Sequence, residues 1–101
     1  MKLELLDLVK YHEHQIASRS LSKKLDLKEQ LMIYAFDQGE SISQESSTQT
    51  KLLEVLEGKL EVDFADGTKE TLQALELLTI PATKKHGLLA LEPCKFIQLE
   101  L

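Results

Sequence analysis

The chain has 101 residues and a mass of 11.5 kDa, which is the usual size of a single domain with one hydrophobic core. Hydrophobic residues make up 43% and charged residues 29%, a composition typical of a folded protein and unlike that of a disordered chain. The formal net charge of -5 argues against a nucleic-acid partner. A single cysteine, Cys94, excludes an intramolecular disulfide and a multi-thiolate zinc site.

The N-terminal residues predict no export signal. Glu4 and Asp7 lie where a signal peptide needs an uninterrupted apolar core, and no apolar run in the sequence is long enough to span a membrane. Together with the single cysteine, this pattern predicts a cytoplasmic protein that associates neither with a membrane nor with nucleic acid.

The first thirty residues do not favour one type of secondary structure. Leucines and a valine over residues 3–9 fit a short helical turn about as well as a strand. The segment His12-Glu13-His14 is the only His-x-His in the chain. On a strand, its two imidazoles would share a face and could weakly hold a divalent ion. Because two ligands make a poor site, we expect these histidines to be surface residues that cover an edge strand.

From about residue 30 onward, short β-rich segments alternate with turn residues, which is typical of a sandwich or barrel. A strand over 31–36 ends at a turn containing Gly39, and the polar residues 41–50 are predicted to form a loop or barrel rim. The pair Asp66-Gly67 predicts a hairpin turn. Further strands are predicted at 51–57, 59–64, 68–72, 76–80, 86–91 and 95–101.

Residues 39–58 resemble the first sequence motif of the cupin family, the RmlC-like cupin superfamily. That motif runs glycine, five residues, His-x-His, three or four residues, Glu, six residues, glycine. Gly39 and Gly58 match its two glycines without a gap. The count places Glu45 and Ser47 at the two histidine positions and Lys51 at the glutamate position.

The second cupin motif runs glycine, five residues, Pro-x-Gly, two residues, His, three residues, Asn. Pro81 and His86 match it, whereas Leu75 and Thr83 replace its glycines and Ala90 replaces its asparagine. This departure leaves His86 as the single histidine of either motif.

The resemblance covers residues 30–101, and residues 1–29 resemble the extra N-terminal strands of small single-domain cupins. It implies an all-β fold, a double-stranded antiparallel β-barrel of the cupin or jelly-roll type, formed as one domain over residues 1–101. Because small cupins commonly pair, it also implies a homodimer.

The metal site that the resemblance implies is degenerate. In metal-bearing cupins, three histidines and a glutamate converge on Fe, Mn, Ni, Cu or Zn. Here Ser47 offers only a neutral hydroxyl, and Lys51 brings an ammonium to the place of the cation. We therefore expect no cofactor, with a weakly bound divalent metal at Glu45 and His86 as the alternative.

The resemblance places Glu45, Ser47, Lys51 and His86 as the ligand-binding residues of the barrel, and three of them could form a charged cluster. Such a cluster could be an internal salt bridge, bind an anionic ligand or move a proton. The first function this predicts is the binding or sensing of a small molecule. The alternatives are a metal-independent isomerase, epimerase or lyase with His86 as acid or base, and a metal-dependent cupin enzyme.

Two further groups of residues are predicted to be structural. Cys94 begins the last strand with no visible base beside it, so its thiol is expected to fill space. The spacing of Tyr34, Phe36, Phe64 and Phe96 predicts core aromatics, although one or two of them could face a ligand cavity.

Overall fold

A computed structural model describes residues 1–101 and contains nine β-strands and one 3₁₀ helix, Leu5–Asp7. No helix in it is long and apolar enough to cross a membrane. The strands are β1 (Ile16–Ser20), β2 (Gln30–Phe36), β3 (Ser41–Glu45), β4 (Lys51–Glu57), β5 (Lys59–Phe64), β6 (Lys69–Gln73), β7 (Leu77–Ile80), β8 (His86–Ala90) and β9 (Cys94–Glu100).

The strands form two antiparallel sheets. One sheet has five strands in the order β1-β2-β9-β4-β7, and the other has four in the order β3-β8-β5-β6. The all-β, antiparallel prediction is confirmed. The two sheets pack face to face as a barrel that is not closed by hydrogen bonds into one continuous sheet.

The main core lies between the two sheets and fills the inside of the barrel. On β4, Leu53 and Val55 point inward and are fully buried, while Leu52 and Glu54 point outward, as the two-residue period of a strand requires. The twelve buried residues of this core are Phe36, Leu53, Val55, Leu60, Val62, Phe64, Leu72, Ile80, Leu88, Ala90, Cys94 and Phe96. Each large apolar side chain among them contributes about 1.5–3 kcal/mol of burial free energy.

Three aromatic rings hold β2 against β9 inside this core. The Tyr34 ring stacks on Phe96 with centroids 5.0 Å apart, and Phe36 meets Phe96 edge-on at 5.1 Å. Strand register places Tyr34 directly opposite Phe96, so the stacked pair follows from the pairing of the two strands. These rings occupy the space that a ligand would need inside the barrel.

The N-terminal residues cover the outer face of the five-stranded sheet. The extra strands that the resemblance implied for residues 1–29 are reduced to one strand, β1, because Leu5, Leu8 and Val9 bury their side chains on this face without joining its hydrogen-bond ladder. Lys95 Nζ donates a hydrogen bond to the Leu6 carbonyl at 2.6 Å, which holds the segment in place.

His12 and His14 are exposed, as predicted, but they lie at a turn before β1, so the interpretation that they cover a strand is wrong. The Gln15 N–H donates to the His12 carbonyl at 3.0 Å, and His14 has a φ of 57°. The His14 N–H also donates to Asp37 Oδ2 at 2.7 Å, which lowers the pKa of the exposed Asp37 carboxyl. In this turn the two imidazoles are not side by side on one strand face.

The polar segment 41–50 forms a strand before it forms a loop. Residues Ser41–Glu45 form β3, at the edge of the four-stranded sheet, whereas 46–50 is the loop that was predicted. Half-buried Ile42 and Gln44 alternate with exposed residues, and Gln44 Nε2 donates to Asp63 Oδ2 at 2.8 Å. The pairing of this strand with β8 shifts register between Ile42 and Glu45, and Ile42 is its single large apolar residue, so it lacks the two-residue hydrophobic period.

Burial controls the acidity of the Cys94 thiol. Cys94 is fully buried, and burial, with a smaller contribution from the Glu57 charge, raises the pKa of its thiol to about 12. In an unfolded chain the same thiol ionises near pH 8.5. The raised pKa means that the folded state holds this proton more tightly than the unfolded state does.

We therefore expect alkaline pH to destabilise the protein. The contribution of Cys94 is fully present below about pH 8.5 and is lost as the pH rises towards 12, so the free energy of unfolding falls by about 3 kcal/mol between pH 8 and pH 11. Urea unfolding at a series of pH values measures this slope. Cys94→Ala is expected to flatten it, and an unchanged slope in that variant would assign the alkaline loss to other groups.

Candidate functional site

Three side chains meet around the ammonium of Lys51. Lys51 is the first residue of β4, and strand alternation directs it to the inward face, where it is 5% exposed. Its Nζ lies 3.5 Å from His86 Nε2, 3.8 Å from Glu100 Oε1 and 4.0 Å from Glu45 Oε1. These four residues are referred to as the Lys51 cluster.

Strand pairing in both sheets brings the Lys51 cluster together. In the four-stranded sheet, Glu45 at the end of β3 is the register partner of His86 at the start of β8. In the five-stranded sheet, Lys51 at the start of β4 is the register partner of Glu100 at the end of β9. The cluster therefore lies where four strand ends meet, at one end of the barrel, which we call the barrel mouth.

A hydrogen bond to the backbone orients the His86 ring. His86 is 3% exposed, and its Nδ1 lies 2.9 Å from the carbonyl oxygen of Lys84. Because a carbonyl can only accept, Nδ1 carries the proton, and Nε2 presents its lone pair to the Lys51 ammonium. The arrangement makes Lys51 the donor and His86 the acceptor, so both ring nitrogens of His86 have partners within the protein.

The loop between β7 and β8, which carries Lys84, has a constrained backbone. Thr83 has a φ of 68°, which is uncommon for a β-branched residue. Its N–H donates to the Ser47 carbonyl at 2.7 Å and ties this loop to the loop after β3. Thr83 and Leu75, which has a φ of 69°, occupy two glycine positions of the second cupin motif. The chain thus keeps left-handed backbone at both positions without the glycines.

Three of the four site residues predicted from the sequence come together, and Ser47 does not. The Ser47 hydroxyl accepts the N–H of Gln49 at 3.1 Å and makes no hydrogen bond to the Lys51 cluster. Its contact with the site runs through its carbonyl, which holds Thr83. Ser47 is therefore a residue that positions two loops.

Glu100 is the member of the cluster that the sequence analysis missed. It continues the inward alternation of β9 after Phe96 and Gln98, which are both buried. A signal was present, because β4 begins with an inward lysine and β9 ends with an inward glutamate, but only the pairing of β4 with β9 makes them neighbours. That pairing connects residues 49 positions apart and cannot be inferred from local periodicity.

The cluster has an excess of negative charge and one open side. One ammonium faces two carboxylates, of which Glu45 is 62% exposed and Glu100 is 17% exposed, whereas the Lys51 side chain is 6% exposed. Burial, with smaller contributions from the charges of Glu100 and then Glu45, raises the pKa of the nearby Tyr34. A molecule approaching from solvent therefore meets Glu45 first and Lys51 last.

The residues present do not fit a catalytic metal of the cupin type. No group of three or more His, Cys, Asp or Glu side chains is arranged to hold a metal ion. The Lys51 ammonium stands between the three candidate ligand groups and carries the same sign of charge as a metal cation. A divalent ion at this position would have to displace the ammonium.

A surface depression adjoins the cluster on the Glu100 side. Its volume is about 350 Å³, and it is open to solvent. Its lining is mostly polar and consists of Lys28, Glu29, Gln30, Gln49, Glu100 and Leu101. Glu100 is the residue that this depression shares with the Lys51 cluster.

Comparison with solved structures identifies the fold. A cupin superfamily protein from Desulfitobacterium hafniense matches with a TM-score of 0.87 and 28% sequence identity, over 100% of this chain and 90% of its own. A cupin-2 domain protein from Shewanella frigidimarina matches with a TM-score of 0.73 and 25% identity, over 94% of this chain and 86% of its own. The chain has the cupin fold. The resemblance found in the two motifs is therefore confirmed for the fold.

These similarities identify the fold but not the activity, because proteins that share one fold can have unrelated functions. A protein of unknown function from Streptococcus pyogenes superimposes on this cupin-fold chain with a TM-score of 0.89 at 21% identity, over 100% of this chain and 86% of its own. No protein-family model matches the sequence, and no curated protein matches it. The function has to be argued from the Lys51 cluster.

Proposed function

We propose that this cupin-fold protein binds a small polar molecule at the barrel mouth, through the Lys51 cluster. The observation that carries the proposal is the buried ammonium of Lys51, whose nearest acceptors lie at 3.5, 3.8 and 4.0 Å. Charge-assisted hydrogen bonds to an ammonium are normally about 2.7–2.9 Å long. The N–H groups of Lys51 make one long hydrogen bond, to His86 Nε2 at 3.5 Å, and therefore have capacity for a closer acceptor.

A purely structural ion pair would be expected to look different. Burying an ammonium is costly unless close hydrogen bonds offset its loss of water. In the Lys51 cluster the ammonium is held among three groups and in close contact with none. The exposed Glu45 carboxylate provides the route from solvent.

Binding is better supported than acid–base catalysis. For His86 to act as a general acid or base, as the alternative requires, one of its ring nitrogens must be free to face the substrate. In His86, Nδ1 is held by the Lys84 carbonyl and Nε2 faces the Lys51 ammonium. The filled barrel core also favours binding at the mouth over binding in the interior.

A thermal-shift screen of small polar metabolites tests the proposal. A ligand present at a hundred times its dissociation constant stabilises the folded state by about 2.7 kcal/mol, which raises the melting temperature by several degrees for a domain of this size. We expect at least one compound to do so, and Glu45→Gln and Lys51→Met to weaken its binding because each removes a charge that faces the ligand.

The matched control is Lys59→Met, which removes a lysine that is paired with exposed Glu92 outside the Lys51 cluster. This variant should bind the ligand as the wild type does. A compound that stabilises all three variants and the wild type equally binds elsewhere, and the proposed function is then wrong.

The homodimer predicted from the sequence stays a prediction.

A further inference from the structure

We infer that the ligand of the Lys51 cluster is a small zwitterion that carries an ammonium and a carboxylate on adjacent carbons, as an α-amino acid does. The inference rests on the proposed function and names the chemical class of its ligand. It follows from the order of charges around Lys51, from the hydrogen-bonding capacity left open there, and from the side on which solvent reaches the site.

The Lys51 cluster has one positive charge with a negative charge on each side of it. Lys51 Nζ lies between two carboxylates, 3.8 Å from Glu100 Oε1 and 4.0 Å from Glu45 Oε1. A ligand anion can pair with the ammonium, but it must then approach both glutamates and is repelled by them. A ligand cation pairs with the glutamates and is repelled by Lys51. A molecule with both charges can satisfy the two requirements together.

The second step is hydrogen bonding. Lys51 has donors without a close acceptor, and neither Glu45 nor Glu100 receives a hydrogen bond from its own partner at these distances. A ligand carboxylate about 2.8 Å from Nζ, with its ammonium at a similar distance from a glutamate oxygen, supplies both missing partners. Ammonium, ligand carboxylate, ligand ammonium and glutamate then alternate in charge around one ring.

The third step is the direction of approach. Glu45 is 62% exposed and forms the open side of the cluster, while Lys51, at 6% exposed, is more buried than either glutamate. The ligand carboxylate therefore enters first, and the ligand ammonium remains near Glu45 at the surface. The remainder of the ligand extends outward past Glu45 towards solvent.

Glu100 changes the ligand class that the sequence alone suggested. With Glu45, Lys51 and His86 as the only members, the cluster has equal numbers of positive and negative charges, and an anion could bind to Lys51. The second carboxylate, supplied by the end of β9, leaves the cluster with one negative charge in excess. A net-neutral ligand that brings its own ammonium is therefore favoured over an anion.

The experiment compares each amino acid with two derivatives that lack one of its charges. Glycine, alanine, serine, leucine and glutamine are each tested beside the amide, which lacks the carboxylate, and the N-acetyl derivative, which lacks the ammonium. Thermal shift at about 10 mM is followed by calorimetry. We expect at least one amino acid to bind at least about tenfold more tightly than either derivative.

Two variants test which side chain pairs with the carboxylate of the ligand and which pairs with its ammonium. Lys51→Met should remove the preference of the protein for the amino acid over its amide, because no ammonium remains to receive the carboxylate. Glu45→Gln, at an exposed position where folding is little affected, should reduce the preference over the N-acetyl derivative. Glu54→Gln is the matched control because Glu54 points outward from β4, and both preferences should be kept.

Binding by the N-acetyl derivatives alone would show an anion site, and binding by the amides alone would show a cation site. Either result overturns the inference and leaves small-molecule binding intact. The same holds if no amino acid binds while another metabolite binds in a Lys51-dependent manner. If no compound of any class binds, both the inference and the proposed function fail.

Discussion

Gly58→Ala is expected to destabilise the protein by about 3 kcal/mol or more, enough to prevent folding of a marginally stable domain. Gly58 lies between β4 and β5 with a φ of 86°, in the left-handed region. A Cβ there would be 2.0 Å from the Pro93 carbonyl oxygen and 2.8 Å from the Cys94 Cα. Both are backbone atoms next to the start of β9, so the clash cannot be relieved by a side-chain rotation.

Gly67→Ala provides the matched control in urea unfolding. Gly67 has a φ of 89°, but a Cβ there would have no atom within 4 Å, so only the backbone strain of about 1–2 kcal/mol remains. Equal losses in the two variants would show that the close approach of Pro93 contributes nothing. A soluble, fully stable Gly58→Ala protein would contradict the prediction outright.

The strands that could be predicted from sequence are those with a local signal. The segments 51–57 and 59–64 are confirmed as β4 and β5 to the residue, because each has inward apolar residues at every second position and Gly58 separates them. The segment 41–45 has no such signal, since Ile42 is its single large apolar residue. The structure makes it a strand through pairing with β8, which is a tertiary effect.

The site could be predicted in part for the same reason. Motif spacing located Glu45, Lys51 and His86, because it records which residues the fold brings to the barrel mouth. Glu100 has no place in either motif and enters through the pairing of β9 with β4. Motif spacing also pointed to Ser47, whose hydroxyl accepts the Gln49 N–H, an orientation that spacing does not predict.

At the two replaced glycine positions of the second motif, the backbone keeps a glycine-like conformation although the residue type has changed. At Leu75 and Thr83 the sequence gives no reason to expect left-handed backbone, and local propensity opposes it, most strongly at Thr83. The structure nevertheless has positive φ at both positions. Hydrogen bonds from their N–H groups, to Val55 from Leu75 and to Ser47 from Thr83, both 2.7 Å long, stabilise these conformations.

Lys51→Met is expected to lower the free energy of unfolding by about 1–3 kcal/mol at neutral pH. Removing one member of a buried ion cluster leaves its partners uncompensated, and that loss exceeds the gain from burying an apolar side chain. In this protein the orphaned groups are the Glu100 carboxylate, which is 17% exposed, and His86 Nε2, which loses its donor. Glu45 contributes less, because water reaches its carboxylate.

A double-mutant cycle separates this electrostatic cost from the loss of packing. Adding Glu100→Gln to Lys51→Met removes the uncompensated charge, so the double variant should lose less stability than the two single variants combined. Lys59→Met, which breaks an exposed pair with Glu92, should cost less than about 1 kcal/mol. If the single losses simply add, Lys51 and Glu100 are not coupled, and the charge order on which ligand recognition depends is not present in solution.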